Sequence, residues 1–348
     1  MSLMKYLPKN IFLDTNIFES NNFFHGTSIH GLLRYAKEGI IKFYMTDISY
    51  NEIISRIEIN LFEAKNDINQ YANQIDKSRI LKNVQKYQDI TKLKYNVNDL
   101  LAEIKKQLDV NIENSNIQFI KPDGVDINEI FYSYYHNLPP FNSKPNKKHE
   151  FPDAFIIKTI ESWCKINKTK MIFVTKDNDF KDYKSSRIIF MNDLNVLLDK
   201  ISKYYDYKKG ARLIPRIEKR IIKYENKISD LINEKLDGQI IYDLPYEMIG
   251  EIKRSNSKYI DHQITGIWND RADVSYNVEI KISFLVYPSQ TEIYDDLTFR
   301  GNRPKMQELS IKLTCDLEFH NDSDSNIRLK WINSNEFIKL SSFLVKIN

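Results

Sequence analysis

Short, largely apolar runs separated by helical patterns set the main constraint on this 348-residue chain. Ile11–Leu13, Ile40–Met45, Met171–Thr175 and Ile188–Met191 each read as a buried strand, and Ile117–Ile120 as a candidate fifth. Strands without polar alternation are covered on both faces, the mark of a parallel sheet flanked by helices. Helical patterns fill the intervals. One lies around His30–Lys37; another opens at Thr46 or Asp47, either a suitable cap, and carries Ile48, Ile53, Ile57 and Leu61 at helical spacing. Residues 58–114, almost free of Gly and Pro, read as two or three amphipathic helices broken near Asp76 and near Tyr95–Asn98. Asp126 caps a helix with Ile130, Phe131 and Tyr134, and Pro152 suits the first turn of another running to about Lys165.

Four carboxylates stand where these runs end or these helices begin: Asp14, Glu52, Asp153 and Asp177. Each alone has an ordinary explanation. Asp14-Thr-Asn16 suits a turn or cap, Glu52 a solvated helix face, Asp153 a helix N-terminus and Asp177-Asn-Asp179 an Asx turn. Together they ask for more, because an uncompensated buried charge costs several kcal/mol. In a parallel sheet, ligands bind outside the carboxyl ends of the strands, where Asp14 and Asp177 both fall. The economical explanation is convergence on a hard divalent cation, which prefers carboxylate oxygen.

The texture changes twice after residue 200. Ile214, Ile217, Ile221, Tyr224, Ile228 and Leu231 form a heptad seam, with Arg220 and Lys227 at g positions and Glu218 and Glu225 at e positions. Two readings stay open: a homodimer through 214–231, or an amphipathic helix packed on its own domain. Beyond Gly238, Gln239–Tyr242, Tyr259–Trp268, Ala272–Pro288, Ser310–Phe319 and Ile327–Ile332 alternate with period two, so Val278, Ile280, Ile282 and Phe284 share a face. That is an antiparallel β domain. The expected organisation is therefore an α/β domain over 1–200 with a helical insertion at about 58–114, a helical linker over 201–237, and a β-rich domain over 238–348.

The ordered set Leu13-Asp-Thr-Asn16, helix-borne Glu52, Pro152-Asp-Ala154 and Val174-Thr-Lys-Asp-Asn-Asp179 resembles the PIN-domain nucleases over roughly residues 9–200. The form Glu150-Phe-Pro-Asp-Ala154, preceded by Pro139-Pro-Phe141 and a Lys-rich loop, is most similar to a PIN-like bacterial subgroup. The long helical insertion departs from the compact pattern. The resemblance implies an endoribonuclease dependent on Mg²⁺ or Mn²⁺. Asp14 and Asp153 would be the principal ligands and Asp177 would complete the metal site. Glu52 would bind metal or position the attacking water. Thr15, Asn16 and Thr175 are candidates to orient these carboxylates or the water, and Asp179 and Glu150 are possible extra ligands. The insertion would act as lid or clamp.

A net charge of +4 permits a polyanionic partner. Lys144, Lys147, Lys148 and His149 precede Asp153, and Lys208, Lys209, Arg212, Arg216, Lys219, Arg220 and Lys223 form a second basic run; both are candidates for phosphate contact. Tyr132, Tyr134, Tyr135 and Phe141 suit either base stacking or a core. The expected substrate is single-stranded RNA. Cys164 and Cys315 lie far apart, no apolar run approaches a bilayer span, and the chain reads as cytoplasmic. A free nuclease needs restraint, so the β domain is expected to take a regulatory partner or ligand, as in a toxin or defence effector. The alternatives are an inactive nucleic-acid-binding or assembly module and a structure-specific DNA nuclease. A haloacid-dehalogenase phosphatase is disfavoured, since Asn16 stands where a second Asp is required.

Overall fold

Ile11, Phe12 and Leu13 are at most 1% exposed, so the strand they form can only be the middle of a covered sheet. In the computed structural model this strand, β1 (Asn10–Leu13), is parallel to β2 (Lys42–Thr46) on one side and β4 (Met171–Val174) on the other. The structure describes residues 8–78, 80, 83–85, 96–141, 150–177, 180, 182–209, 213–236, 240–241, 249–268, 270–286, 292–293, 299–300, 305–320, 326–333 and 338–339. β3 (Gln118–Ile120) lies beyond β2 and β5 (Ile188–Met191) beyond β4, giving the all-parallel order β3-β2-β1-β4-β5. The chain winds outward from β1 in one direction and then resumes at β4 on its other side. The topological switch point is thus between β1 and β4, where a crevice opens at the carboxyl edge.

Among the described residues six helices accompany this sheet in the first of two compact units, Met1–Leu194. They are α1 (Thr15–Ser20), α2 (Thr27–Lys37), α3 (Asp47–Lys77), α4 (Val97–Asn114), α5 (Ile127–Tyr135) and α6 (Phe151–Ile166). Local chemistry sets their starts: Asp14, Thr46, Asn96 and Asp126 each accept a backbone N–H at the N-cap. Among the described residues the insertion holds the later part of the 31-residue helix α3 and all of α4. Tyr50 on α3 donates to Asp109 on α4 at 2.7 Å.

The second unit, Asn195–Asn348, is a helical layer on an antiparallel sheet. Its helices are α7 (Leu194–Lys209), α8 (Leu213–Lys223) and α9 (Glu225–Leu236). The strands of its main sheet are β6 (Ile249–Arg254), β7 (Lys258–Ile267), β8 (Arg271–Val286), β9 (Lys305–His320) and β10 (Ile327–Asn333); two-residue strands at Ile240–Ile241 and Ile338–Lys339, and at Glu292–Ile293 and Phe299–Arg300, form two small separate pairs. β8 and β9 pair along sixteen residues; β10 flanks β9, while β6 and β7 share the other edge of β8. Ile214, Ile217, Ile221, Ile228, Ile232 and Leu236 are buried in one core with Val274, Tyr276, Val278, Leu313 and Leu317. The seam offered for a homodimer is thereby filled within the unit.

Two details of that seam are corrected. Arg220, assigned a g position and offered for phosphate contact, is 8% exposed; its Nη1 donates to the His320 carbonyl at 2.9 Å and its guanidinium lies 5.3 Å from the Phe319 ring centre. The helix is also interrupted at Tyr224, after which the buried positions are Ile228, Ile232 and Leu236 rather than Leu231. Packing on a sheet asks for the wider 3.6-residue stripe, not the 3.5-residue seam. No helix among the described residues is long and apolar enough to cross a membrane.

Candidate metal centre

The register of β1 on β4 builds the site. Leu13 pairs with Val174, and the Asp14 N–H donates to the Val174 carbonyl at 2.9 Å, so Asp14 and Thr175 leave the sheet side by side. The Thr175 hydroxyl then donates to Asp14 Oδ2 at 2.5 Å and accepts the Asp177 N–H at 2.9 Å. One side chain ties the loop after β4 to the carboxylate after β1. Asn16 Nδ2 also donates to Asp14 Oδ2, at 2.7 Å, and Asn16 Oδ1 accepts the Lys176 N–H at 3.2 Å. The Thr15 N–H donates to Asp14 Oδ1 at 2.7 Å.

Glu52 arrives from the next connection. Thr46 at the end of β2 caps α3, accepting the Ser49 N–H at 3.1 Å, and burial of Ser49, Ile53 and Ile57 fixes the helix rotation. That turns Glu52 toward α1, where the Thr15 hydroxyl donates to its Oε2 at 2.8 Å. Asp153 lies in the first turn of α6, behind Pro152, with Ala154, Ile156, Ile157 and Ile160 buried beneath the helix. Glu150 holds the N-cap position of α6.

Electrostatics show that the four carboxylates share a neighbourhood. Asp14 is pushed up to about 6, chiefly by burial, against the hydrogen bonds from Thr175 and Thr15 and with the repulsion of Glu52 and Asp177. Asp153 is pushed up to about 8, again by burial first, then by the charges of Asp14, Glu52, Asp177 and Glu150. Among the described residues no lysine or arginine forms an ion pair with Asp14, Glu52 or Asp153. The donor chemistry, hard oxygen alone, fits a divalent cation. The spacing is looser: among the described residues no group of three or more His, Cys, Asp or Glu is drawn together tightly enough to hold one ion. Mutual repulsion of the carboxylates runs in that direction.

Asp179, Lys144, Lys147, Lys148 and His149 lie outside the described residues, as do Arg212 and the side chains of Lys208 and Lys209. Arg216, Lys219 and Lys223 are exposed on α8 of the second unit. The aromatic group divides: Phe141 is buried and Tyr134 half-buried, whereas Tyr132 and Tyr135 face outward. Phe151 escaped the sequence reading as a residue of its own. It packs against Phe131, Tyr134 and Phe141, and no local pattern announces it.

Fold and site together define an α/β protein with an acidic crevice at the switch point of a five-stranded parallel sheet. The family model of the PIN domain matches residues 11–180, which spans the Asp14, Glu52, Asp153 and Asp177 positions. The match supports placing this segment in the PIN-domain family, whose members are generally metal-dependent nucleases. No curated protein and no solved structure gives a significant match.

Proposed function

We propose that the chain is an endoribonuclease dependent on Mg²⁺ or Mn²⁺. What supports this reading is the electrostatic neighbourhood that Asp14, Glu52, Asp153 and Asp177 share, from four separate connections, with no lysine or arginine paired to Asp14, Glu52 or Asp153 among the described residues. Asp14 and Asp153 are the principal ligands, Asp177 completes the set, and Glu52 either joins it or positions the attacking water. A bound divalent ion would supply neutralisation of the phosphoryl oxygens and a more acidic water. The chain's own contribution is orientation. Thr175 and Asn16 hold Asp14 Oδ2, and the Thr15 hydroxyl holds Glu52 Oε2. The Glu150-Phe-Pro-Asp-Ala154 form of the third motif supports the corresponding PIN-like subgroup.

The second unit carries no catalytic constellation in its sequence, and we assign it regulation of a cytoplasmic nuclease of the toxin or defence-effector kind, through a ligand or partner at 238–348. The competing reading is a binding module with a vestigial site. The loose spacing of the carboxylates is the observation in its favour. Labelled single-stranded RNA and DNA, incubated with Mg²⁺ or Mn²⁺, decide between them. Cleavage of RNA that disappears in Asp14→Asn and Asp153→Asn is the expected result. Cleavage surviving both substitutions eliminates the proposed centre; preference for DNA changes the substrate; binding without cleavage of either strand leaves the module.

A further inference from the structure

A cavity of about 190 Å³ opens where the turn between α1 and α2 meets α3 and α4. Its floor is apolar: Phe24, Ile57 and Leu108 are at most 4% exposed, and half-buried Phe23, Leu61 and Ile104 form the walls. Its rim is polar, made by Asn22, His25, Asn60, Gln107 and Asn111. No lysine, arginine or carboxylate is among the described residues that line it. The turn is held in an unfavourable shape. Asn22 and Phe23 are consecutive left-handed residues, with φ of 50° and 54°, and such backbone is concentrated at ligand clamps and other functional sites.

Much of the rim's hydrogen-bonding capacity is unused. Among the described residues the side chains of Asn22, His25 and Asn111 make no hydrogen bond. Asn60 Nδ2 donates to the Arg56 carbonyl at 2.9 Å and Gln107 Nε2 to Glu103 Oε1 at 3.4 Å, which leaves both amide oxygens open. These features define the occupant. A dry cavity of about 150 Å³ takes one benzene ring, so this one admits one or two rings. An uncharged lining offers nothing to offset the desolvation of a charge, so the enclosed ring is neutral and any phosphate attached to it stays outside. Open amide oxygens beside open amide N–H groups ask for a ring edge with a donor next to an acceptor. Adenine has that edge, its N6 amine beside N7, and an Asn or Gln amide reads the two together. We propose that this cavity binds an adenine base, brought either by a free nucleoside or by an unpaired nucleotide of a strand. The proposal stands apart from the nuclease reading.

The test is calorimetric titration of the full-length protein in EDTA, where cleavage plays no part, with adenosine, adenosine monophosphate, inosine, indole and a short adenine oligoribonucleotide. Adenosine is expected to bind one to one and the monophosphate no more tightly. Inosine, with an oxygen in place of the amine, should bind at least ~10-fold more weakly. Ile104→Trp fills the cavity, whereas Gln107→Leu/Asn111→Leu keeps it open and removes two amides. Each should weaken adenosine at least ~10-fold while circular dichroism and ligand-free melting match the wild type. An oligonucleotide that binds more tightly than adenosine, with the same losses in both variants, assigns the base to a strand; equal or weaker binding assigns it to a free nucleoside. Failure of both adenosine and the oligonucleotide to bind at millimolar concentration overturns the site, as does binding that both variants retain. Inosine or indole binding as tightly as adenosine overturns the adenine assignment. None of these results bears on the carboxylates, so the nuclease reading stands or falls separately.

Discussion

Thr175 shows how much of this site depends on a single hydroxyl. It donates to Asp14 and accepts from the Asp177 backbone, so Thr175→Val should remove the orientation of one candidate ligand without removing any carboxylate. The expected loss is about 10–100-fold in metal affinity or turnover, measured by Mn²⁺ titration and initial rates. Charge repulsion makes a second prediction. The folded pKa of Asp153, about 8, is above the ordinary value of 3.8, so metal-free folded protein binds more protons than unfolded protein between those limits. Its contribution to stability is therefore present below pH 4 and is lost as pH rises toward 8. Asp153→Asn should flatten that decline and stabilise the metal-free protein at pH 8 by on the order of 1 kcal/mol or more, read from thermal melts across pH. Added Mn²⁺ should restore the wild type and do little for the variant.

At the scale of elements, the buried helices of the second unit make the clearest contrast between pattern and packing. Arg220 and Lys227 occupy equivalent heptad positions, yet Arg220 is enclosed against His320 and Phe319 while Lys227 is exposed. Arg220→Ala should cost about 2–3 kcal/mol, the worth of a charged hydrogen bond plus lost packing, and Lys227→Ala within about 0.5 kcal/mol, by chemical denaturation. The insertion makes a different point. α3 carries six acidic against three basic side chains and α4 four against two, whereas the whole stretch 58–114 carries nine of each. Legibility also varies element by element. β1, β2, β4 and β5 stand out because burial on both faces leaves an uninterrupted apolar run. α1 has six residues and begins at the candidate ligand, too short for a period to emerge. In α7 the apolar positions Leu194, Leu197, Leu198 and Ile201 stop halfway, and Tyr- and Lys-rich sequence hides the helix. β6 mixes Gly, Glu, Lys and Arg with two isoleucines and has no alternation to read.

For the whole molecule, a parallel sheet with an acidic switch point and an antiparallel sheet with its own helical layer divide the chain into two units, each with its own core. The candidate site is legible in sequence as an ordered set of carboxylates, three near strand ends or helix starts and Glu52 about one turn into α3. What sequence could not supply was the register that puts Thr175 beside Asp14, or the covered face of α8 and α9, since both depend on contacts between distant segments. With Ile214, Ile217, Ile221 and Ile228 already buried, light scattering should find no dimer formed through that face. The account stands most directly on the binding of Mn²⁺ by isothermal titration. It predicts a site in the wild type that weakens at least ~10-fold in each of Asp14→Asn, Asp153→Asn and Asp177→Asn. Mn²⁺ affinity unchanged by all three substitutions would contradict it.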